Sequence, residues 1–126
     1  MGIRSVLAKP FAAYIARQTQ EWSQKPGFYQ QKTFQSLISG AAGTAFGQDH
    51  GFRDIRTHQD FQKQVPIRDY EDLKPYVERV LHGDSDILWP GKPAYFAKTS
   101  GTTSGTKYIP ISKESASTHF ISARNA

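Results

Sequence analysis

No cysteine occurs among the 126 residues, and that absence excludes a disulfide scaffold, a zinc–thiolate site, an iron–sulfur cluster and a cysteine nucleophile together. Long apolar runs are missing as well. Mean hydropathy is −0.59, and no stretch approaches the roughly 20 apolar residues that cross a bilayer. The opening MGIRSVLAKPFAAY is basic but has neither a long apolar core nor a small-residue cleavage site, so no secretory signal is expected. Val6 stands where myristoylation requires Ser or Thr. The expected compartment is the cytoplasm, with no membrane partner. His50, His58, His82 and His119 show no metal-ligand spacing, and solvated or hydrogen-bonding roles are expected for them. There is no Gly-x-Ser-x-Gly elbow to make a nucleophile of Ser100 or Ser104. Asp84 and Asp86 flank Ser85, but two carboxylates alone make a poor metal site. No metal ligand and no catalytic side chain is therefore assigned.

What the chain does have is ordinary globular composition, 37% apolar and 21% charged, with a net charge of +5. The basic residues are spaced out rather than run together, unlike a nucleic-acid arm. The last segment, 92–126, has five basic and one acidic side chain, and its positive balance coincides with a loop rich in Gly and hydroxyls. That pairing favours a small polyanion such as a nucleotide over nucleic acid.

Ile3, Val6, Leu7, Phe11, Tyr14, Ile15 and Trp22 recur at helical steps, which predicts an amphipathic helix over 3–22, kinked or restarted at Pro10, with its stripe packed on a core or docked on another domain. Lys25-Pro26-Gly27 breaks it. Helical spacing resumes from Phe28 to Phe46, and Gln48 to Gly51 reads as polar punctuation. Phe61 leads into an extended Val65-Pro66-Ile67. Asp69 is the expected N-cap of a helix whose buried stripe is Tyr70, Leu73, Val77, Val80 and Leu81 and which Gly83 stops. Capping is likewise the expected work of the Asp69, Glu71, Asp72 cluster. An irregular loop covers 84–93. Trp22 and Trp89 read as packing residues, with base stacking as the alternative.

The final third changes character. Ala94–Ala97 and Lys107–Ile111 read as strands around a loop, Thr99–Thr106, and Ser112 reads as the N-cap of a helix still running at Ala126. That uncapped helix predicts that the sequence continues beyond this chain. The fold class expected is α/β: helix-rich over the first 90 residues, then a β-loop-β hairpin, within a larger sheet domain of which 1–126 is one portion.

The chemistry lies in Lys98-Thr99-Ser100-Gly101-Thr102-Thr103-Ser104-Gly105-Thr106-Lys107. Glycines let backbone N–H groups converge on an anion, hydroxyls add neutral donors, and Lys107 supplies a mobile charge. It is not a Walker loop, since three residues separate Gly101 from Gly105 and Thr106 precedes the lysine. Taken by itself it is also compatible with a plain hairpin turn.

The run of Ser, Gly, Thr, Thr, then Gly and Lys resembles the phosphate-binding motif of the adenylate-forming, luciferase-like superfamily. With Thr44-Ala45-Phe46-Gly47, Val65 through Leu73, and Leu88-Trp89-Pro90-Gly91 ahead of it, the chain resembles the auxin-responsive-promoter family of acyl acid–amido synthetases, of the bacterial type. The superfamily's usual proline before the lysine is here Thr106, a departure that this branch tolerates. The resemblance implies an N-terminal fragment of the large domain of a ligase. Such a ligase uses ATP and Mg²⁺ to turn a small-molecule carboxylic acid into an acyl-adenylate, then passes the acyl group to an amino acid. It further implies ATP-phosphate contacts from Thr99, Ser100, Gly101, Thr102, Thr103, Gly105 and Lys107. Part of the acid pocket would come from Ser112–Ala126, with Arg124 meeting the carboxylate; Phe120 and Ile121 read as pocket wall or as core. The later ATP motifs and the C-terminal domain have no counterpart in these residues, so the chain alone is expected to do no chemistry. The alternative from another class is a basic, non-catalytic module that binds a nucleotide or nucleic acid.

Overall fold

The computed structural model describes residues 3–99 and 105–125. Six α-helices and one hairpin follow in the order α1 (Ile3–Gln24), α2 (Pro26–Ala41), α3 (Ala45–Asp49), α4 (His58–Gln64), α5 (Tyr70–Leu81), β1 (Tyr95–Thr99), β2 (Lys107–Ile111) and α6 (Lys113–Asn125). The expectation of a helix-rich first part followed by a β-loop-β hairpin holds. Helix α1 continues through Pro10 as one element, and α2 opens on Pro26, where the missing N–H costs nothing because no intrahelical partner exists for it.

The expected helix over Phe28–Phe46 is in fact two. Helix α2 ends at Ala41, and Thr44 takes an extended conformation (φ −77°, ψ 163°) to open α3. Its buried hydroxyl donates to the Ala41 carbonyl at 2.7 Å and accepts the Gly47 N–H at 3.0 Å. One side chain thus satisfies the end of one helix and the start of the next, which outweighs a continuous helix threaded through Gly43. Gln48 and Asp49, expected as punctuation, belong to α3. Phe61 lies inside α4, a helix not expected from the sequence, and the extended stretch expected at Val65-Pro66-Ile67 follows it, with Val65 at φ −111°, ψ 102°. That helix is held at its N-terminus by a reciprocal cap between Thr57 and Asp60.

The core is built on Ile38, Ala41, Phe52 and Ile55, with Phe34, Phe46, Phe61, Val65 and Trp89 packed against it. Phe46 is a hinge of this packing, edge-on to Phe52 and Tyr76 with ring centroids 5.9 and 5.2 Å away and stacked on His50 at 4.1 Å. Buried His50 bonds the Phe46 carbonyl through Nδ1 (2.8 Å) and meets the Arg68 guanidinium at Nε2 (3.0 Å). Helix α5 adds Val77 and Val80 to the buried set, whereas Leu81, expected in the same stripe, is 42% exposed.

The irregular segment 84–91 is fastened rather than loose. Asp86 adopts a positive φ of 59°; its carboxylate accepts the Gly91 N–H at 2.8 Å and the Ser85 hydroxyl at 2.6 Å. The carbonyls of Asp86 and Ile87 receive the Ala45 and Phe46 N–H groups at 2.8 and 3.0 Å, so the loop occupies donors that the first turn of α3 leaves open. The α1 stripe, expected to pack on a core or to dock on another domain, is about half exposed at Tyr14 and Trp22. Among the described residues α1 packs alongside α2.

Candidate functional site

The hairpin positions the candidate loop. Strands β1 and β2 pair antiparallel from Tyr95↔Ile111 to Thr99↔Lys107. Thr99 and Lys107, both proposed from sequence, therefore face each other as the closing pair of the loop. Gly105 has φ +78°, a backbone state open to glycine and costly for a residue with a Cβ. The sequence-chosen Ser100, Gly101, Thr102 and Thr103 lie outside the described residues. Arg124 lies in the last turn of α6, and its side chain is outside the described set.

Two elements hold the stem of the loop. The Tyr70 hydroxyl, from the first residue of α5, accepts the Tyr108 N–H at 2.8 Å and donates to the Tyr108 carbonyl at 3.3 Å. The Lys107 ammonium stands 5.5 Å from the centroid of the Tyr70 ring, within the range of a cation–π contact. Tyr70 is positioned in turn by the cap of α5, where the Asp69 carboxylate accepts the Asp72 N–H at 3.1 Å. On the far side Ser112 caps α6, its hydroxyl accepting the Ser115 N–H at 3.0 Å. The expected caps at Asp69 and Ser112 are both present. Sequence reading placed Tyr70 in the buried stripe and missed its link to β2, for which no local pattern exists because 38 residues separate the partners.

Beside the hairpin a cleft of about 160 Å³ runs between Val80, Ile87, Trp89, Pro93 and Pro110, with Ser112 and Ser115 contributing hydroxyls. Glu114 lies next to it. Its carboxyl is held below the ordinary range, first by its own backbone N–H, then by the Ser112 hydroxyl and the Trp89 indole. Trp89 itself packs against the core. Phe120 and Ile121, read as pocket wall or core, are 74% and 50% exposed. Among the described residues no group of three or more His, Asp or Glu is placed to hold a metal, and no helix is long and apolar enough to cross a membrane.

This hairpin, and the helices that brace it, have counterparts in known proteins. The chain is 32% identical over 90 residues to jasmonoyl–L-amino acid synthetase JAR4 of Nicotiana attenuata, covering 70% of this chain and 16% of that protein. It is 27% identical over 91 residues to indole-3-acetic acid-amido synthetase GH3.3 of Arabidopsis thaliana, covering 71% and 15%. Among solved structures, GH3.15 acyl acid amido synthetase superposes with a TM-score of 0.80 at 21% identity, over 90% of this chain and 21% of that one. The chain therefore spans about a sixth to a fifth of the length of these relatives. The profile of the GH3 family N-terminal domain matches residues 15–125, nearly the whole of the helical body and the hairpin it carries, and the chain belongs to that family.

Proposed function

We propose that residues 1–126 form the N-terminal portion of the large domain of an ATP-dependent acyl acid–amido synthetase, a ligase that activates a carboxylic acid as its adenylate and transfers the acyl group to an amino acid. The observation that carries this reading is the hairpin. In a chain of the GH3 family, a Gly- and hydroxyl-rich loop leaves β1 at Thr99 and returns through left-handed Gly105 to Lys107. The relatives whose names record an activity join jasmonic or indole-3-acetic acid to amino acids, which supports a small-molecule acid and an amino acid as substrates here. The bacterial type is our reading of the motifs; the plant relatives above are 27–32% identical to this chain. The compartment we propose is the cytoplasm.

In this reading the chain's own work is electrostatic. Ser100, Gly101, Thr102, Thr103 and Gly105 offer backbone and hydroxyl donors to the phosphate oxygens, with Thr99 and Lys107 in support. Donors fixed in advance stabilise the departing pyrophosphate more than the resting triphosphate. The described residues provide no carboxylate cluster suited to Mg²⁺, so no step is assigned to the ion here. Arg124, on α6, is the proposed partner of the acid's carboxylate through a forked hydrogen bond.

The test is ATP–pyrophosphate exchange by the protein that carries this chain, across a panel of aryl and aliphatic acids. Gly101→Val should abolish exchange by placing a branched side chain against the phosphates. The Thr102→Ala, Thr103→Ala double variant should fold normally and lose roughly a hundredfold or more in rate. Normal exchange by that well-folded double variant would overturn the assignment. The 126-residue chain by itself should release no pyrophosphate, because such catalysis needs its parts held together.

A further inference from the structure

We infer that Tyr70 is the positioning residue for Lys107, an assignment that rests on the phosphate-loop reading and adds to it the group that aims its cation. The two halves of the Tyr70 side chain act on adjacent residues of β2. Its hydroxyl bonds both polar groups of the Tyr108 backbone, at 2.8 and 3.3 Å, which fixes the strand at the point where it leaves the loop. Its ring lies 5.5 Å from the Lys107 ammonium. Lys107 makes no ion pair among the described residues, and Lys98, on β1, is exposed.

The kind of contact matters. A carboxylate partner would neutralise the ammonium and would have to be displaced before an anion could bind. An aromatic face restrains the ammonium while leaving its full charge, and the N–H donors turned away from the ring, available to a phosphate. Lysine also has a long side chain whose ordering is costly. Restraining such a side chain in advance is worth about 0.5–1.5 kcal/mol to a ligand, or roughly two- to tenfold in affinity.

The probe is inorganic tripolyphosphate, titrated into the full chain and followed by calorimetry and by the NMR signals of the Lys107 Cε methylene. In the parent chain those signals should stand upfield from the ring current. Tyr70→Phe should keep both the upfield position and the affinity, while the Tyr108 amide exchanges faster with solvent. Tyr70→Leu should lose the upfield position and bind tripolyphosphate roughly two- to tenfold more weakly. Lys107→Met should bind at least as weakly, and the Tyr70→Leu, Lys107→Met double variant no more weakly than Lys107→Met alone. If Tyr70→Leu binds like the parent while Lys107→Met does not, Tyr70 does not position the cation and the phosphate-loop reading survives. If Lys107→Met binds like the parent, or the parent does not bind, the phosphate reading of Lys107 itself fails. Should Tyr70→Leu not fold, Tyr70→Phe decides: an unshifted Lys107 methylene in that variant overturns the inference.

Discussion

Gly47 shows how much one residue can fix. A Cβ at this position would overlap the carbonyl oxygen of Ala41 and lie 2.9 Å from its carbonyl carbon, and both are backbone atoms that cannot swing aside. The Gly47 N–H is meanwhile taken by the Thr44 hydroxyl. Thr44-Ala45-Phe46-Gly47, legible in the sequence as a motif, is therefore a splice between α2 and α3: threonine joins the two helix ends and glycine lets them approach. Gly47→Ala should cost about 3 kcal/mol by overpacking. Thr44→Val keeps the shape but strands the buried Gly47 N–H, while the Ala41 carbonyl keeps the Thr44 backbone N–H at 3.0 Å, and should cost about 1–3 kcal/mol. Urea unfolding followed by circular dichroism measures both, and a Gly47→Ala midpoint equal to the parent's would refute the splice.

Among the elements, a cap or a periodic stripe made α1, α5 and α6 legible: the stripe alone marks α1. Asp69 with Val77 and Val80 marks α5, and Ser112 marks α6. The hairpin also follows from its two short apolar stretches and the loop between them. Helix α4 escaped because one apolar residue, Phe61, in seven positions gives no period to detect; its signal was the Thr57–Asp60 spacing of a cap. The Asp60 carboxylate accepts N–H groups from Thr57 (2.9 Å) and Arg56 (3.1 Å). The Thr57 hydroxyl first, then those two N–H groups, hold its carboxyl below the ordinary value of 3.8. Asp86 is lowered likewise, by the Gly91 N–H and then the Ser85 hydroxyl. Groups whose carboxyls are lowered on folding contribute stability in full above their unfolded value, and the contribution is lost as pH falls through the folded one. The Asp60→Asn, Asp86→Asn variant should be less stable at neutral pH and lose less stability than the parent on acidification below about pH 4. Unfolding free energies taken across that range test this, and parallel curves would contradict it. The candidate site was legible as an ordered run of Ser, Gly, Thr, Thr, Gly and Lys, whereas the brace from Tyr70 depends on tertiary contact.

At the scale of the molecule, the buried side chains among the described residues fall between Ile38 and Ile87. The ends of the chain contribute apolar surface instead: Tyr14 and Trp22 on α1, Phe120 and Ile121 on α6. Protection against hydrogen exchange should follow this layout. Amides of Val77, Val80 and Ile55 should exchange slowest, and those of α1 and α6 fastest, in a mass-spectrometric time course on the 126-residue chain. Uniform protection through 113–125 would show that α6 has a partner within the chain.

The bond from Tyr70 to β2 also gives the hairpin a direction of growth. Tyr108 and Pro110 share one orientation along the strand, with their backbone groups turned away from β1. At Tyr108 both of those groups are already engaged by Tyr70. At Pro110, paired with Phe96, there is no N–H to offer. The outer margin of β2 is closed to a third strand, and an extension of this sheet has to join along the outer margin of β1, at Phe96 and Lys98.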